Sequence, residues 1–167
     1  SKVRGDEGFG VQSSNEEKVS RLVWNLINKG DCFIPLINHP KIYPLIEHII
    51  GEKAILCSMG AHMNGSGNES MPLHQDQWPL VPHPLEFPVM ANSMVLVTDN
   101  SSENGGTRLI PGSHKWPKID YKSANSSKYQ DMAKSITAPK GSVIVWEGRV
   151  WHGNGLNRSG EVRSNIS

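Results

Sequence analysis

His74-Gln75-Asp76 is the first place where residue types and spacing in this sequence suggest chemistry. On extended backbone, residues two apart point to the same face, so an imidazole and a carboxylate there can converge on one ion. A third ligand is needed, and His152 is the best candidate. It follows an expected strand over residues 142–146 and sits in Trp151-His152-Gly153-Asn154-Gly155. In a closed β-structure two such strands, distant in sequence, can lie side by side. Two histidines and one carboxylate on one face of an ion leave three positions open, the facial arrangement of non-haem Fe(II) oxygenases. His-x-Asp alone is a weak signal, and Arg163 strengthens it. Arg163 lies on the next expected strand after His152, beyond a Gly/Asn/Ser turn, and a returning strand would bring its guanidinium back beside the metal. There it can clamp a carboxylate bidentately. An arginine just beyond an iron site suits 2-oxoglutarate, which chelates the metal at one end and needs its far carboxylate neutralised.

The remaining histidines carry less. His39, His48 and His62 fall in or near expected helix or strand and read as packing or surface residues. His83 lies in a proline-rich loop and is a weak spare ligand, and His114 reads as ordering the turn Pro111-Gly112-Ser113-His114. Met59, Met63 and Trp78 flank the metal motif and are candidates to line an apolar substrate pocket, although core packing suits the two methionines equally well.

These residues need elements to hold them. Ile42, Leu45, Ile46, Ile49 and Ile50 make one apolar helical face, with Pro40 suited to the first turn and Gly51 as the stop. Val19, Leu22, Val23, Leu26 and Ile27 also fall at helical spacing, while residues 22–26 fit a short strand as well. After Gly51 the texture becomes β. Residues 54–63, 90–99, 107–110, 141–147 and 161–167 read as strands, and Asn104-Gly105-Gly106 turns the second of these into the third. Pro79, Pro82, Pro84 and Pro88 forbid a helix over residues 78–88, and residues 79–88 could form part of a lid. One or two helical turns are expected around residues 128–134, and residues 1–15 read as a mobile entry segment. Short strands between Gly/Pro/Asn turns, with helices confined to the front, predict a mainly β sandwich or barrel faced by a few helices.

Taken in order, Pro72-Leu73-His74-Gln75-Asp76, Glu103-Asn104-Gly105-Gly106-Thr107, Pro111-Gly112-Ser113-His114 and Trp151-His152-Gly153-Asn154-Gly155-Leu156-Asn157-Arg158-Ser159, ending at Arg163, resemble the phytanoyl-CoA dioxygenase family over residues 22–167. The resemblance implies a double-stranded β-helix, or jelly roll, with Fe(II), and 2-oxoglutarate consumed with O2 to give succinate and CO2. It implies His74, Asp76 and His152 as the catalytic iron ligands and Arg163 as the co-substrate arginine. It further implies that Thr107 helps to hold the same carboxylate and that Asn154 lies near the co-substrate. Met71 is a departure, because several relatives carry glutamine there and a thioether cannot donate an amide hydrogen bond. The resemblance also favours an extended conformation over residues 22–26. It implies a single oxygenase domain over residues 1–167 that lacks N- and C-terminal parts of the full family domain. Related halogenases carry a small residue at the position of Asp76, so the carboxylate argues for hydroxylation, desaturation or a related oxidation.

Bulk properties exclude other classes. A chain of 167 residues can bury a core without disulfides or structural metal. A net charge of +1 leaves no electrostatic footprint for nucleic acid or an anionic membrane. The longest apolar runs are too short to span a bilayer, and residues 1–20 show no signal-peptide pattern, so a cytoplasmic protein is expected. Cys32 and Cys57 stand in apolar surroundings and read as two small buried hydrophobes rather than a disulfide. The expected partner is a small-molecule substrate, with a lipophilic metabolite favoured because no Lys/Arg cluster announces a CoA groove. Two other classes compete. A zinc-type hydrolase would use the same three ligands but has no task for Arg163, and a catalytically inactive jelly-roll binding module would need none of them.

Overall fold

Along each strand of this chain inner and outer side chains alternate, and the strands are short, so the apolar inner faces are buried by closing two small sheets on each other. The computed structural model describes residues 20–68, 70–77, 86–117 and 119–167. Among these residues eight antiparallel strands form two sheets. The larger contains β1 (Ser20–Val23), β2 (Ala61–Asn64), β3 (Ala91–Leu96), β6 (Val143–Glu147) and β8 (Arg163–Ile166), in the order β1-β2-β8-β3-β6. The smaller contains β4 (Thr107–Leu109), β5 (Lys134–Ser135) and β7 (His152–Asn154), in the order β5-β4-β7. His74 extends the smaller sheet through an isolated antiparallel bridge to His152. With the His74 segment counted in the smaller sheet, the chain from β2 onward crosses between sheets at every connection except β4 to β5, a two-sheet connectivity in keeping with the expected jelly roll.

Register fixes what lines the interior. Leu22 pairs with His62, His62 with Asn165, and Asn64 with Arg163. Leu96 pairs with Asn165, Met94 with Ile144, and Asn92 with Trp146. Directly opposed residues share a face, so His62, Asn64, Arg163, Asn165, Asn92, Met94, Leu96 and Trp146 all face inward. Across from them stand Thr107 and Leu109, paired with Asn154 and His152. Leu96, Ile144, Trp146 and Val150 form one buried cluster, with Met94 and Leu109 against it. A second cluster of Leu73, Ile110, Ala124 and Trp151 lies beneath α2 (Tyr121–Ala124) and α3 (Ser127–Met132). Full burial of each large apolar side chain contributes about 1.5–3 kcal/mol.

Several elements differ from expectation. The helix α1 runs over Tyr43–Ile50 and packs on β3 and β6, but the proline in its first turn is Pro44 rather than Pro40. Leu45 stays 50% exposed, so the buried stripe is narrower than the spacing implies. The extended reading of residues 22–26 holds only for the end of β1. Asn25 is left-handed at φ 55, and Leu26–Asn28 make one 3-10 turn. The long strand expected over residues 54–63 shrinks to β2, with Ile55 89% exposed, because after Lys53 at φ 64 residues 54–58 pair with no strand among the described residues. Asn104-Gly105-Gly106 does not close a hairpin, since it carries the chain from β3 in one sheet to β4 in the other. Cys32 and Cys57 are free and exposed rather than buried, because Cys32 lies in a 3-10 helix (Asp31–Leu36) with no buried residue and Cys57 in an irregular stretch, both outside the two core clusters. The entry segment of residues 1–15, His83 and most of the lid candidate fall outside the described residues.

Gly153 is required by the close approach of β7 to the segment before His74. A Cβ at that position would lie 2.5 Å from the Met71 carbonyl oxygen and 2.9 Å from that of Pro72. Gly153→Ala should therefore destabilise the chain by about 1–3 kcal/mol, as overpacking does, with backbone rather than a pliable side chain in the way. Urea unfolding measures this, and unchanged stability would show that residues 71 and 72 do not lie against β7.

Candidate metal centre

The His74 and His152 backbones are joined by two hydrogen bonds, His74 N–H to the His152 carbonyl at 2.9 Å and His152 N–H to the His74 carbonyl at 3.0 Å. This pairing puts both imidazoles on one face, with ring centroids 4.3 Å apart. Each ring is oriented by its own strand. His74 Nδ1 lies 3.0 Å from the Pro72 carbonyl and His152 Nδ1 lies 2.9 Å from the Val150 carbonyl. Carbonyl oxygens only accept, so both Nδ1 atoms carry protons and both Nε2 atoms turn toward the common centre. Asp76 meets them there, with Oδ1 3.4 Å from His74 Nε2 and Oδ2 3.2 Å from His152 Nε2. Ligand atoms of all three residues lie within 4.8 Å of one another, close enough to share one ion.

The support around the centre is polar and specific. Asn92 on β3 donates to Asp76 Oδ2 at 2.8 Å and fixes the carboxylate. Asn125 clamps fully buried Leu73 like a strand partner, accepting from its N–H at 2.8 Å and donating to its carbonyl at 2.9 Å. On the other side Gln75 donates to the Arg149 carbonyl, and buried Gln77 bridges the Phe87 carbonyl and the Val89 N–H. The ligand-bearing segment is thus held before, between and after its two ligands. Neither Asn92 nor Asn125 was singled out from sequence. Period-two alternation along β3 could have found Asn92, but nothing local marks Asn125. Trp146 packs its indole 5.0 Å from the His152 ring and keeps water from that side.

Charge organises the site. Burial pushes the Asp76 carboxyl up, but hydrogen bonds from His152 and then His74 outweigh it and hold the group well below the usual carboxylate range. Burial works to lower His74, yet its bond to Asp76, with help from Pro72, raises it above the ordinary 6.5. His62, read from sequence as packing or surface, faces this interior. Burial lowers its pKa first and nearby Arg163 lowers it further, against the opposing pull of Asp76. Arg163 is 5% exposed, and burial alone pushes it down to about 10. Its Nε and Nη1 have no hydrogen-bond partner, and no carboxylate pairs with it among the described residues.

A buried unpaired guanidinium is costly unless an anion completes it. The donor set and this orphaned charge together fit iron chelated by a dianionic co-substrate. The other expected positions fall as follows. Thr107 is buried on the inner face, with Oγ1 3.3 Å from Met94 Sδ, and Asn154 is its register partner. Met59 is buried just before β2, while Met63 lies on the face of β2 opposite to His62 and Asn64. Trp78 falls outside the described residues.

Fold and site together define a jelly-roll protein with a two-histidine, one-carboxylate centre facing a buried arginine. The Phytanoyl-CoA dioxygenase (PhyH) family model matches residues 4–165, and the chain belongs to that family. Dioxygenase af480 of Aspergillus fumigatus is 30% identical over 122 residues, which covers 73% of this chain and 38% of that relative. Dioxygenase cdmD of Talaromyces verruculosus is 28% identical over 165 residues, 92% of this chain and 52% of the relative. The chain thus spans about half the length of such relatives, or less. Among solved structures, SnoK, a non-heme alpha ketoglutarate dependent carbocyclase from nogalamycin biosynthesis, matches with a TM-score of 0.73 at 20% identity, covering 96% of this chain and 67% of its own. EvdMO1 matches with a TM-score of 0.70 at 25% identity, covering 97% of this chain and 38% of its own. These likenesses show the shared fold. Among the described residues no helix is long and apolar enough to cross a membrane.

The raised His74 pKa has a measurable consequence. In the metal-free protein, protonated His74 bonded to Asp76 stabilises the fold below the unfolded value of 6.5. That contribution is lost as pH rises through the raised folded value. Asp76 acts in the opposite sense, since its stabilisation is present above the unfolded value of 3.8 and lost only in acid. A metal ion needs the neutral imidazole and displaces its proton. The rise in Tm produced by saturating Zn(II) or Fe(II) should therefore grow from about pH 6 to about pH 8. A metal-induced shift that stays flat across that range would contradict His74 as a ligand.

Proposed function

We propose that this chain is the catalytic core of an Fe(II)- and 2-oxoglutarate-dependent dioxygenase that oxidises, by hydroxylation, a small lipophilic metabolite and releases succinate and CO2. The observation that carries the reading is the buried, unpaired Arg163 guanidinium on the inner face of the larger sheet, across the interior from strand β7 that carries His152 of the three-ligand centre. A hydrolytic metal site has no use for a cation at that depth.

In this reading His74, Asp76 and His152 hold the iron, and Arg163 takes the distal carboxylate of 2-oxoglutarate, with Thr107 and Asn154 on the facing strands. When bound, the iron with its co-substrate supplies the oxidising chemistry with O2. The protein's part is placement and exclusion. With a metal bound, the Pro72 and Val150 carbonyls hold the single proton of each neutral imidazole on Nδ1 and leave Nε2 to the metal, and Asn92 holds Asp76 so that one anionic ligand stays in position. Trp146, Met94 and Leu109 wall the interior with apolar surface. A small-molecule substrate with a large apolar part is supported by a cleft of about 500 Å³ where Leu109, Pro111, Val150 and Trp146 stand beside His48, His114 and Glu147, and where the Trp146 indole also lies against the His152 ring.

Anaerobic titration of the protein with Fe(II) and then 2-oxoglutarate tests this directly. A metal-to-ligand charge-transfer band should develop near roughly 500–530 nm, as expected for this type of chelate. Iron binding without the band would favour a hydrolytic metal site, and no iron binding would favour a binding module. Arg163→Met should leave iron affinity nearly intact and weaken 2-oxoglutarate by about 2–5 kcal/mol, roughly 30- to several-thousand-fold. Lysine should rescue only in part, keeping charge but losing the fork. Equal co-substrate affinity in wild type and Arg163→Met would remove the basis of the assignment.

A further inference from the structure

Deep on the inner wall, buried N–H groups of two adjacent strands meet with no acceptor between them. Asn64 on β2 and Arg163 on β8 stand directly opposite in the antiparallel register, and each is 5% exposed. Opposed residues of such a pair have Cβ atoms about 4.5–5.5 Å apart on one face. Asn64 Nδ2 and Arg163 Nε and Nη1 are all buried without a partner.

Asn64 is not free to relieve this by itself. Its Oδ1 accepts from Asn68 Nδ2, and its backbone carbonyl accepts from Nδ2 of fully buried Asn157 at 2.8 Å. Turning the Asn64 amide over would set two amide nitrogens against each other at Asn68. Asn165 Oδ1 is the only unpaired buried acceptor on this wall among the described residues, and it stands in the next register row, opposite His62. Buried donors beside a positive charge are unfavourable together. A single carboxylate, with two oxygens and about four lone-pair sites, can satisfy all three N–H groups.

We infer that Asn64 is a second co-substrate-binding residue, whose amide donates to the same distal carboxylate that Arg163 grips. This rests on the 2-oxoglutarate reading above and adds a specificity to it. The wall selects a 2-oxo acid that ends in a carboxylate, because an acid ending in a methyl group would leave three buried donors unmatched.

The test measures binding rather than turnover. The Fe(II)-loaded full chain is titrated anaerobically with 2-oxoglutarate and with 2-oxovalerate, which has a methyl in place of the distal carboxylate, and the visible band is followed. Asn64→Leu keeps volume and removes the donor. It should weaken 2-oxoglutarate by roughly 10- to 100-fold, the range of one hydrogen bond to a charged group, with iron and 2-oxovalerate affinities little changed. Asn64→Asp still accepts from Asn68, so it guards against loss of fold in the leucine variant. It should penalise 2-oxoglutarate more than 2-oxovalerate by setting a second negative charge beside the carboxylate. Equal penalties for the two acids would make Asn64 a structural residue only, and no penalty for 2-oxoglutarate in either variant would also overturn the inference. A wild-type protein that gives no band with 2-oxoglutarate would instead overturn the co-substrate reading itself.

Discussion

Two backbone hydrogen bonds between His74 and His152 hold the centre together. They form the β-bridge of the 71–77 segment, flanked by Asn154 N–H to the Met71 carbonyl at 3.4 Å and Gln77 N–H to the Gly148 carbonyl at 3.0 Å, and they are made by the two residues whose imidazoles must face one another. An antiparallel hydrogen-bonded pair places both side chains on one face without any contribution from the side chains. The neighbours then serve this geometry. Gly153 has no Cβ, so β7 can lie close to Met71 and Pro72, and Asn125 closes the outer edge of Leu73 where no further strand exists. Loss of the bridge would separate the two imidazoles even with every ligand residue still present.

The second organising feature is the distribution of charge across the interior. Asp76 lies between two imidazoles on the smaller-sheet side and Arg163 lies buried on the larger sheet, with the charges of both acting on His62. Burial lowers the pKa of Arg163, and that cost is the mark of a site completed by something from outside. A dianion long enough to reach from the metal to the arginine would neutralise both ends at once. The polar residues that share the wall, Asn64 and Asn165, contradict an ordinary apolar core and make sense beside such a ligand.

Much of this was legible in the sequence, for definite physical reasons. His74 and Asp76 announce themselves because a spacing of two fits extended backbone, His152 because it follows the expected strand over residues 142–146, and Arg163 because it lies on the next expected strand beyond a Gly/Asn/Ser turn. The jelly roll was legible through ordered motifs rather than through strand spacing. What escaped depended on pairing at a distance. The Asn104-Gly105-Gly106 turn looked like a hairpin because local chemistry is the same whether the next strand pairs with the last or crosses to another sheet. His62 looked like packing because only its register against Asn165 shows that it faces the interior. Cys32 and Cys57 were expected inside because their neighbours are apolar, but apolar neighbours in a short 3-10 helix or an irregular segment that packs on neither core cluster do not bury anything. Asn125 belongs to the same class, since its partner Leu73 is remote in sequence.

The central claim is that the buried Arg163 guanidinium is completed by the distal carboxylate of a metal-chelating 2-oxo acid. A crystal structure of the full chain with Mn(II) and N-oxalylglycine, a redox-inert 2-oxoglutarate mimic, measures this most directly. The account predicts metal bound by His74, Asp76 and His152, with the far carboxylate of the ligand on Arg163 Nε and Nη1. Arg163 paired instead with a carboxylate of the protein itself, or the ligand bound with that carboxylate in solvent, would contradict it.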